Sequence, residues 1–188
     1  MYLFPYLIQK SNYLTIVTIP SRFNCYKNAY VFNSSGSCIY GNEKISKNHN
    51  EPIYNKQRMN ESHQKGAPLY LFDLCINLAQ FSVPGTTIFI TGEYINTNSA
   101  STDINCLINM QFLFMGDNNN DIAFGIFPVL HYKLINQAIP VPKKIYPVIL
   151  FSLSFINGEW IYTPINDKLE NAKKETIEKY ASNYFNKN

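Results

Sequence analysis

Apolar and polar residues alternate with a period of two through most of the middle of the chain, the spacing of half-buried strands. Phe72, Leu74, Ile76 and Leu78 share one face while Asp73, Cys75 and Asn77 take the other. A short helix also fits that stretch, but Val83-Pro84-Gly85 stops it, and Ile88–Ile95 then sets Ile and Tyr against Thr and Glu. Cys106, Ile108, Met110, Phe112 and Phe114 form a further face. The polar run 116–121 turns the chain into Ile122–Asn136, so these two segments predict an antiparallel hairpin. Tyr146–Ile156 is almost unbroken in its apolarity, as a strand buried on both faces and central in its sheet would be. Asn157-Gly158 follows, the favoured pair for a two-residue turn with positive φ at both positions, and predicts a return through Glu159–Tyr162.

The flanks are less regular. Strands are predicted at Tyr13–Ile19 and Ala29–Phe32, with a turn at Asn33–Gly36 leading back through Ser37–Tyr40. Between Gly41 and Pro68 little is apolar, which predicts a long polar surface loop over 41–68. From Asp167 the period becomes helical: Leu169, Ala172, Thr176, Tyr180 and Tyr184 fall on one stripe, and Asp167 with Glu170 has the spacing of a capping box. Glu170 with Lys174, and Glu175 with Lys179, are i,i+4 pairs that support an amphipathic helix over 167–186. The pattern as a whole predicts one domain spanning 1–188 of α+β class. It consists of an antiparallel sheet or sandwich of about six to eight strands with a C-terminal helix laid against it.

Composition sharpens this picture. The chain is 46% hydrophobic and 15% charged, which supplies a core and excludes a disordered chain. Fourteen Tyr and thirteen Phe against eight Ala favour strands, and the Asn, Ile and Lys bias fits an AT-rich genome. Net charge is +3, far from the clustered basicity of a nucleic-acid binder, and no apolar run reaches the roughly 20 residues that cross a bilayer as a helix. The charge is uneven, with residues 1–66 at +5, residues 67–142 at −4 and residues 143–188 at +2. The opening residues lack a basic region before their apolar stretch, so the expected location is cytoplasmic, or secreted or periplasmic if a signal was removed before residue 1.

Candidate chemistry is sparse. Cys25 and Cys38, thirteen residues apart around the first hairpin, are placed for a disulfide in an oxidising compartment or for two free thiols. Cys75 and Cys106 read as buried thiols, and no CxxC spacing marks a zinc or redox site. His49 and His63 fall in the polar loop and His131 in a strand, where solvated and structural roles suffice. Asp117, Asn119 and Asp121 match the first ligands of an EF-hand loop, yet Ile122 and Pro128 stand where its Gly and Glu belong. Asn33-Ser34-Ser35 and Asn60-Glu61-Ser62 are glycosylation triplets of a kind common in any Asn-rich chain. Trp160 reads as a core residue rather than an exposed anchor. The hydrolase, zinc-protease, nucleotide and dinucleotide signatures are all missing, so no cofactor or metal is expected and a non-catalytic role is favoured over an enzyme.

Two functions remain. The first is a protein-interaction module, an effector, antagonist or immunity-type inhibitor, that binds another protein through Lys44, Lys47, Tyr54, Lys56, Arg58 and Lys65. The second is a small-molecule carrier or enzyme with an apolar pocket between a curved sheet and the helix, lined by Phe112, Phe114, Tyr132 and Phe151.

Overall fold

The computed structural model describes residues 2–3, 13–18, 23–60, 69–96, 107–116, 132–140 and 147–187. Those residues form two antiparallel sheets and one helix, an α+β architecture. The strands are β1 (Tyr2–Leu3), β2 (Tyr13–Thr18), β3 (Phe23–Phe32), β4 (Cys38–Tyr40), β5 (Ile53–Asn60) and β6 (Leu69–Asn77). After a 3-10 turn at Leu78–Phe81 come β7 (Thr87–Asn96), β8 (Leu107–Gly116), β9 (Tyr132–Pro140), β10 (Pro147–Ile156) and β11 (Glu159–Lys168). The helix, α1, spans Lys174–Lys187. Eleven strands among the described residues exceed the six to eight expected. The additions include two-residue β1, too short to carry a period, and β5, drawn from the polar stretch.

Sheet A has the order β1-β11-β10-β7-β3-β4 and sheet B the order β5-β6-β2-β8-β9. Alternation explains the layering. On β7, Ile88 and Ile90 point into a core shared with Leu14, Ile16, Leu74 and Ile76 of sheet B, while Phe89 points to the opposite face, toward α1. The two sheets thus sandwich one core, and α1 covers the outer face of sheet A. Each fully buried Ile, Leu or Phe in such a core contributes roughly 1.5–3 kcal/mol. β10 is central between β11 and β7, as its unbroken apolarity predicts. β8 pairs antiparallel with β9, as expected of these two segments, but the return strand is Tyr132–Pro140 rather than Ile122–Asn136, with Phe112 opposite Tyr132, and the expected turn lies outside the described residues. Asn157 and Gly158 hold φ of 52° and 77°, and Ile156 faces Glu159 across the turn. Trp160 is buried against Phe155, with ring centroids 5.1 Å apart.

Three expectations need correction. The polar loop over 41–68 ends early, because Ile53–Asn60 is a strand fully paired with β6 from Ile53↔Ile76 to Asn60↔Leu69. Its inward positions, Ile53 and Asn55, are buried, so burial of one apolar residue and ladder pairing override a polar composition. The helix begins at Lys174 and not at 167, since β11 runs on to Lys168 and Val148↔Lys168 is still in register. Asn171 turns the chain into the helix, its side-chain oxygen accepting from the Lys173 N–H at 2.9 Å and from the Thr176 hydroxyl, and Lys173 O accepts the first helical bond, from the Ile177 N–H. The stripe that packs is accordingly Ile177, Tyr180, Ala181, Tyr184 and Phe185, at i, i+3, i+4, i+7 and i+8.

The third correction concerns the disulfide. Cys38 is a free thiol paired in register with Phe32, and Cys25 lies seven residues further along β3. That is roughly 23 Å of strand at 3.3 Å per residue, far beyond disulfide reach. The Asn33–Gly36 turn, by contrast, forms as expected: the Asn33 side-chain oxygen accepts from the Ser35 and Ser37 N–H groups at 3.1 and 3.0 Å, and Gly36 sits at φ 83°. His63, Lys65, Cys106, residues 117–131 and the Glu61-Ser62 part of the second glycosylation triplet lie outside the described residues, as do the side chains of Cys25 and Arg58.

Candidate functional site

Residues 41–52 carry the chain from sheet A to the outer strand of sheet B, and buried anchors hold them. Gly41 crosses the Tyr30 ring so closely that any Cβ there would collide with it. Ile45 is 6% exposed and plugs into the inter-sheet core. The Asn28 side-chain amide donates to Asn42 O at 2.8 Å, and the Glu43 carboxylate accepts from the Lys174 N–H at 2.7 Å, favourable at a helix N-terminus. Ser46 O accepts from the Asn55 N–H at 2.8 Å, making a parallel bridge onto β5. A polar turn follows, with the Asn50 N–H donating to the Asn48 side chain and the Glu51 N–H donating to Asn48 O, both at 3.0 Å.

This arrangement brings Lys47, His49, Tyr54, Asn55 and Lys56 around an open groove of about 420 Å³. Lys47, His49 and Lys56 are exposed and Tyr54 half-buried. The nearby carboxylate of Glu51 accepts from the Tyr40 hydroxyl at 3.3 Å. Tyr54 stands on the strand's outward face, opposite Cys75 in register, and donates to the Cys75 sulfur. The Thr15 hydroxyl donates to the same sulfur at 3.7 Å. Burial pushes the Cys75 thiol up despite these two donors, so it acts as a neutral acceptor rather than a nucleophile. Among the described residues no group of three or more His, Cys, Asp or Glu is placed to hold a metal ion.

Of the six residues predicted to bind a partner, the structure gathers Lys47, Tyr54 and Lys56 at this groove. Lys44 is exposed beside it but outside its lining, and Arg58 continues β5 by backbone. His49 and Asn55 were not among the predicted residues. Ile53-Tyr54-Asn55-Lys56 alternates buried with outward positions in the structure, but the inward pair Ile53 and Asn55 mixes apolar with polar, so the sequence shows no period of two there.

The four residues expected to line an apolar pocket are not brought together between sheet and helix. Phe151 is fully buried in the inter-sheet core against Tyr162, ring centroids 5.2 Å apart. Phe112, Phe114 and Tyr132 belong by backbone to β8 and β9 of sheet B, on the far side of that core from α1. A different groove, about 460 Å³ in volume, does run between β11 and α1, lined among others by Thr163, Ile165, Asp167, Tyr180 and Tyr184. Across it the Tyr180 hydroxyl donates to the Asp167 carboxylate at 2.6 Å. A smaller cavity of about 50 Å³ lies between β3, β7 and the entry to α1, with Tyr26, Tyr30, Glu43 and Glu93 in its wall.

Several of these tyrosines titrate late. Burial and then the Glu43 carboxylate push Tyr30 up to about 12, burial and then the bond to Cys75 push Tyr54 up to about 12, and burial and then the bond to Asp167 raise Tyr180. Each folded value lies above the unfolded value of about 10, so these groups stabilise the fold fully below about pH 10 and lose that contribution as pH rises toward and past 12. Stability should therefore be level from neutral pH to about 9.5 and fall steeply above it. Denaturant midpoints against pH check this, and a profile that stays level through pH 12 would contradict the burial of these phenols.

No protein-family model matches the chain, and no curated protein matches it in sequence.

Proposed function

We propose that the chain is a non-catalytic protein-interaction module, in the manner of an effector, antagonist or immunity-type inhibitor, whose groove at Lys47, Tyr54 and Lys56 receives an acidic partner. The observation that carries this reading is the convergence of two exposed lysines and a half-buried tyrosine on one open groove beside a sheet edge. Cations flanking an aromatic anchor suit a carboxylate-rich surface, steering its approach while the ring supplies contact area. The segment bearing Lys47 is pinned by Ile45 and by the Ser46–Asn55 bond, so little ordering entropy is lost on binding.

The test is a charge reversal. Lys47→Glu with Lys56→Glu should abolish capture of the partner from source extract, while Lys173→Glu with Lys179→Glu on the helix side should not. Capture by the parent should also weaken with added salt. Equal capture by the groove variant and the parent would overturn the reading. A second reading, a small-molecule-binding carrier or enzyme, rests on the 460 Å³ groove between β11 and α1. Native mass spectrometry of the protein from its source would favour it by showing a bound small molecule that Tyr184→Ala removes.

A further inference from the structure

β5 is the outer strand of sheet B, and the direction of one hydrogen bond shows what its free side offers. The Asn55 N–H donates to Ser46 O, away from β6, and the Asn77 N–H donates to Pro52 O, toward β5. Residues 52, 54, 56, 58 and 60 therefore turn their backbone groups to β6, opposite Asn77, Cys75, Asp73, Leu71 and Leu69. By strand alternation Asn55, Gln57 and Met59 turn theirs outward. Ser46 takes the Asn55 rung. Among the described residues nothing pairs with the outward N–H and C=O groups of Gln57 and Met59.

We propose that this edge binds an acidic, extended segment of another protein as an added strand of sheet B, with the rungs at Gln57 and Met59 holding its backbone and Lys47 and Lys56 its carboxylates. The inference rests on the proposed function and specifies how the partner is recognised. An unpaired edge is a template for strand addition, in which main-chain bonds hold the guest and side-chain pockets select it. Here the selection is by charge. Lys56 is exposed on the strand and Lys47 beside it, so an incoming strand with carboxylates at alternate positions is matched. A second copy of β5 is not, because antiparallel pairing about Gln57 would set Lys56 opposite Arg58, and like charges directly opposed are unfavourable. The Ser46 bridge shows that this edge already accepts an added strand one rung away.

Proline separates the backbone contribution from the charge. Gln57→Pro removes an N–H that points away from β6, so the β5–β6 ladder keeps its bonds while the guest loses a donor and meets the ring. The probe is a fluorescent, acetylated octapeptide of alternating Thr and Glu, with binding to the full chain followed by anisotropy at low salt. Parent protein should bind it, Gln57→Ala should bind equally, and Gln57→Pro should bind about tenfold or more weakly. The same peptide N-methylated at alternate residues should fail against the parent, and binding should slow amide exchange at Gln57 and Met59. These last two measurements stand even if Gln57→Pro does not fold. Strand addition is overturned if the parent ignores the peptide, if N-methylation leaves binding unchanged, or if the free protein self-associates through this edge. Should the Lys47→Glu, Lys56→Glu variant lose the peptide while the N-methylated peptide still binds the parent, the groove reading survives and only strand addition fails. Undiminished binding by the charge-reversed variant removes both.

Discussion

A chain cut after Glu170 should lose cooperative unfolding and become prone to aggregation. The cut leaves β11 and Leu169 in place, including the Leu169 N–H bond to Pro147 O at 2.8 Å, and removes only α1. What it uncovers is the outer face of sheet A: Tyr30, Phe32, Phe89 and Ile149 are each buried to 1% exposure or less. At roughly 1.5–3 kcal/mol per large side chain, their loss approaches the whole net stability of a domain, about 5–15 kcal/mol. Such a patch also invites association. The single tryptophan, Trp160, lies in the other core, so its emission reports whether the sandwich survives without its cover. The expected result is a red-shifted, non-cooperative transition with strong dye binding. A truncated chain that melts like the parent would show that α1 is an ornament.

Phe89→Ala should be the most damaging single substitution beneath the helix. The ring is fully buried and meets Phe32, Tyr180, Tyr184 and Phe185 at centroid distances of 5.6, 5.8, 5.1 and 5.9 Å, the Phe32, Tyr180 and Tyr184 contacts edge-on. Truncation leaves a cavity between a rigid sheet and a helix that can only partly settle, at a cost of about 3–5 kcal/mol. Phe89→Leu, which retains most of the volume, should cost about 1.5 kcal/mol or less. In the chain cut after Glu170, Phe89→Ala should add little, because three of its four ring partners are already gone. Denaturant titration measures all three. A loss below about 1 kcal/mol for Phe89→Ala in the full chain would contradict the packing.

The sequence reveals most where local chemistry and tertiary demand agree. Leu74 and Ile76 alternate because one face of β6 is core, and Asn157-Gly158 is readable because few other pairs accept positive φ twice. Disagreement arises where tertiary pairing overrules composition. Ile53-Tyr54-Asn55-Lys56 is polar enough for a loop, yet β6 needs an outer neighbour, and a ladder asks only for backbone groups and one apolar inward residue. Lys27 lies fully buried on the same face of β3 as Ala29 and Val31, a placement unusual for lysine. The helix stripe is legible at Tyr180 and Tyr184, which do pack against sheet A, but not at its start, because Leu169 packs as the end of the sheet and Ile177 rather than Thr176 faces it. The groove suffers most: Lys47 and Lys56 are nine positions apart, and burial of Ile45 together with the Ser46–Asn55 bond makes them neighbours.

The position of β10 in the middle of sheet A has a consequence for synthesis. β3, β4 and β7 are made early, but their sheet is completed only by β10 and β11, and its outer face is closed only by α1, whose first N–H is held by Glu43 from far upstream. Contacts of such long sequence separation place folding toward the slow, millisecond-to-second end of the range for small domains. Until β10 leaves the ribosome, the nascent chain carries the hydrogen-bonding edge of β7 and the ring of Phe89 uncovered, and that half-built sheet is the species that chaperones would meet.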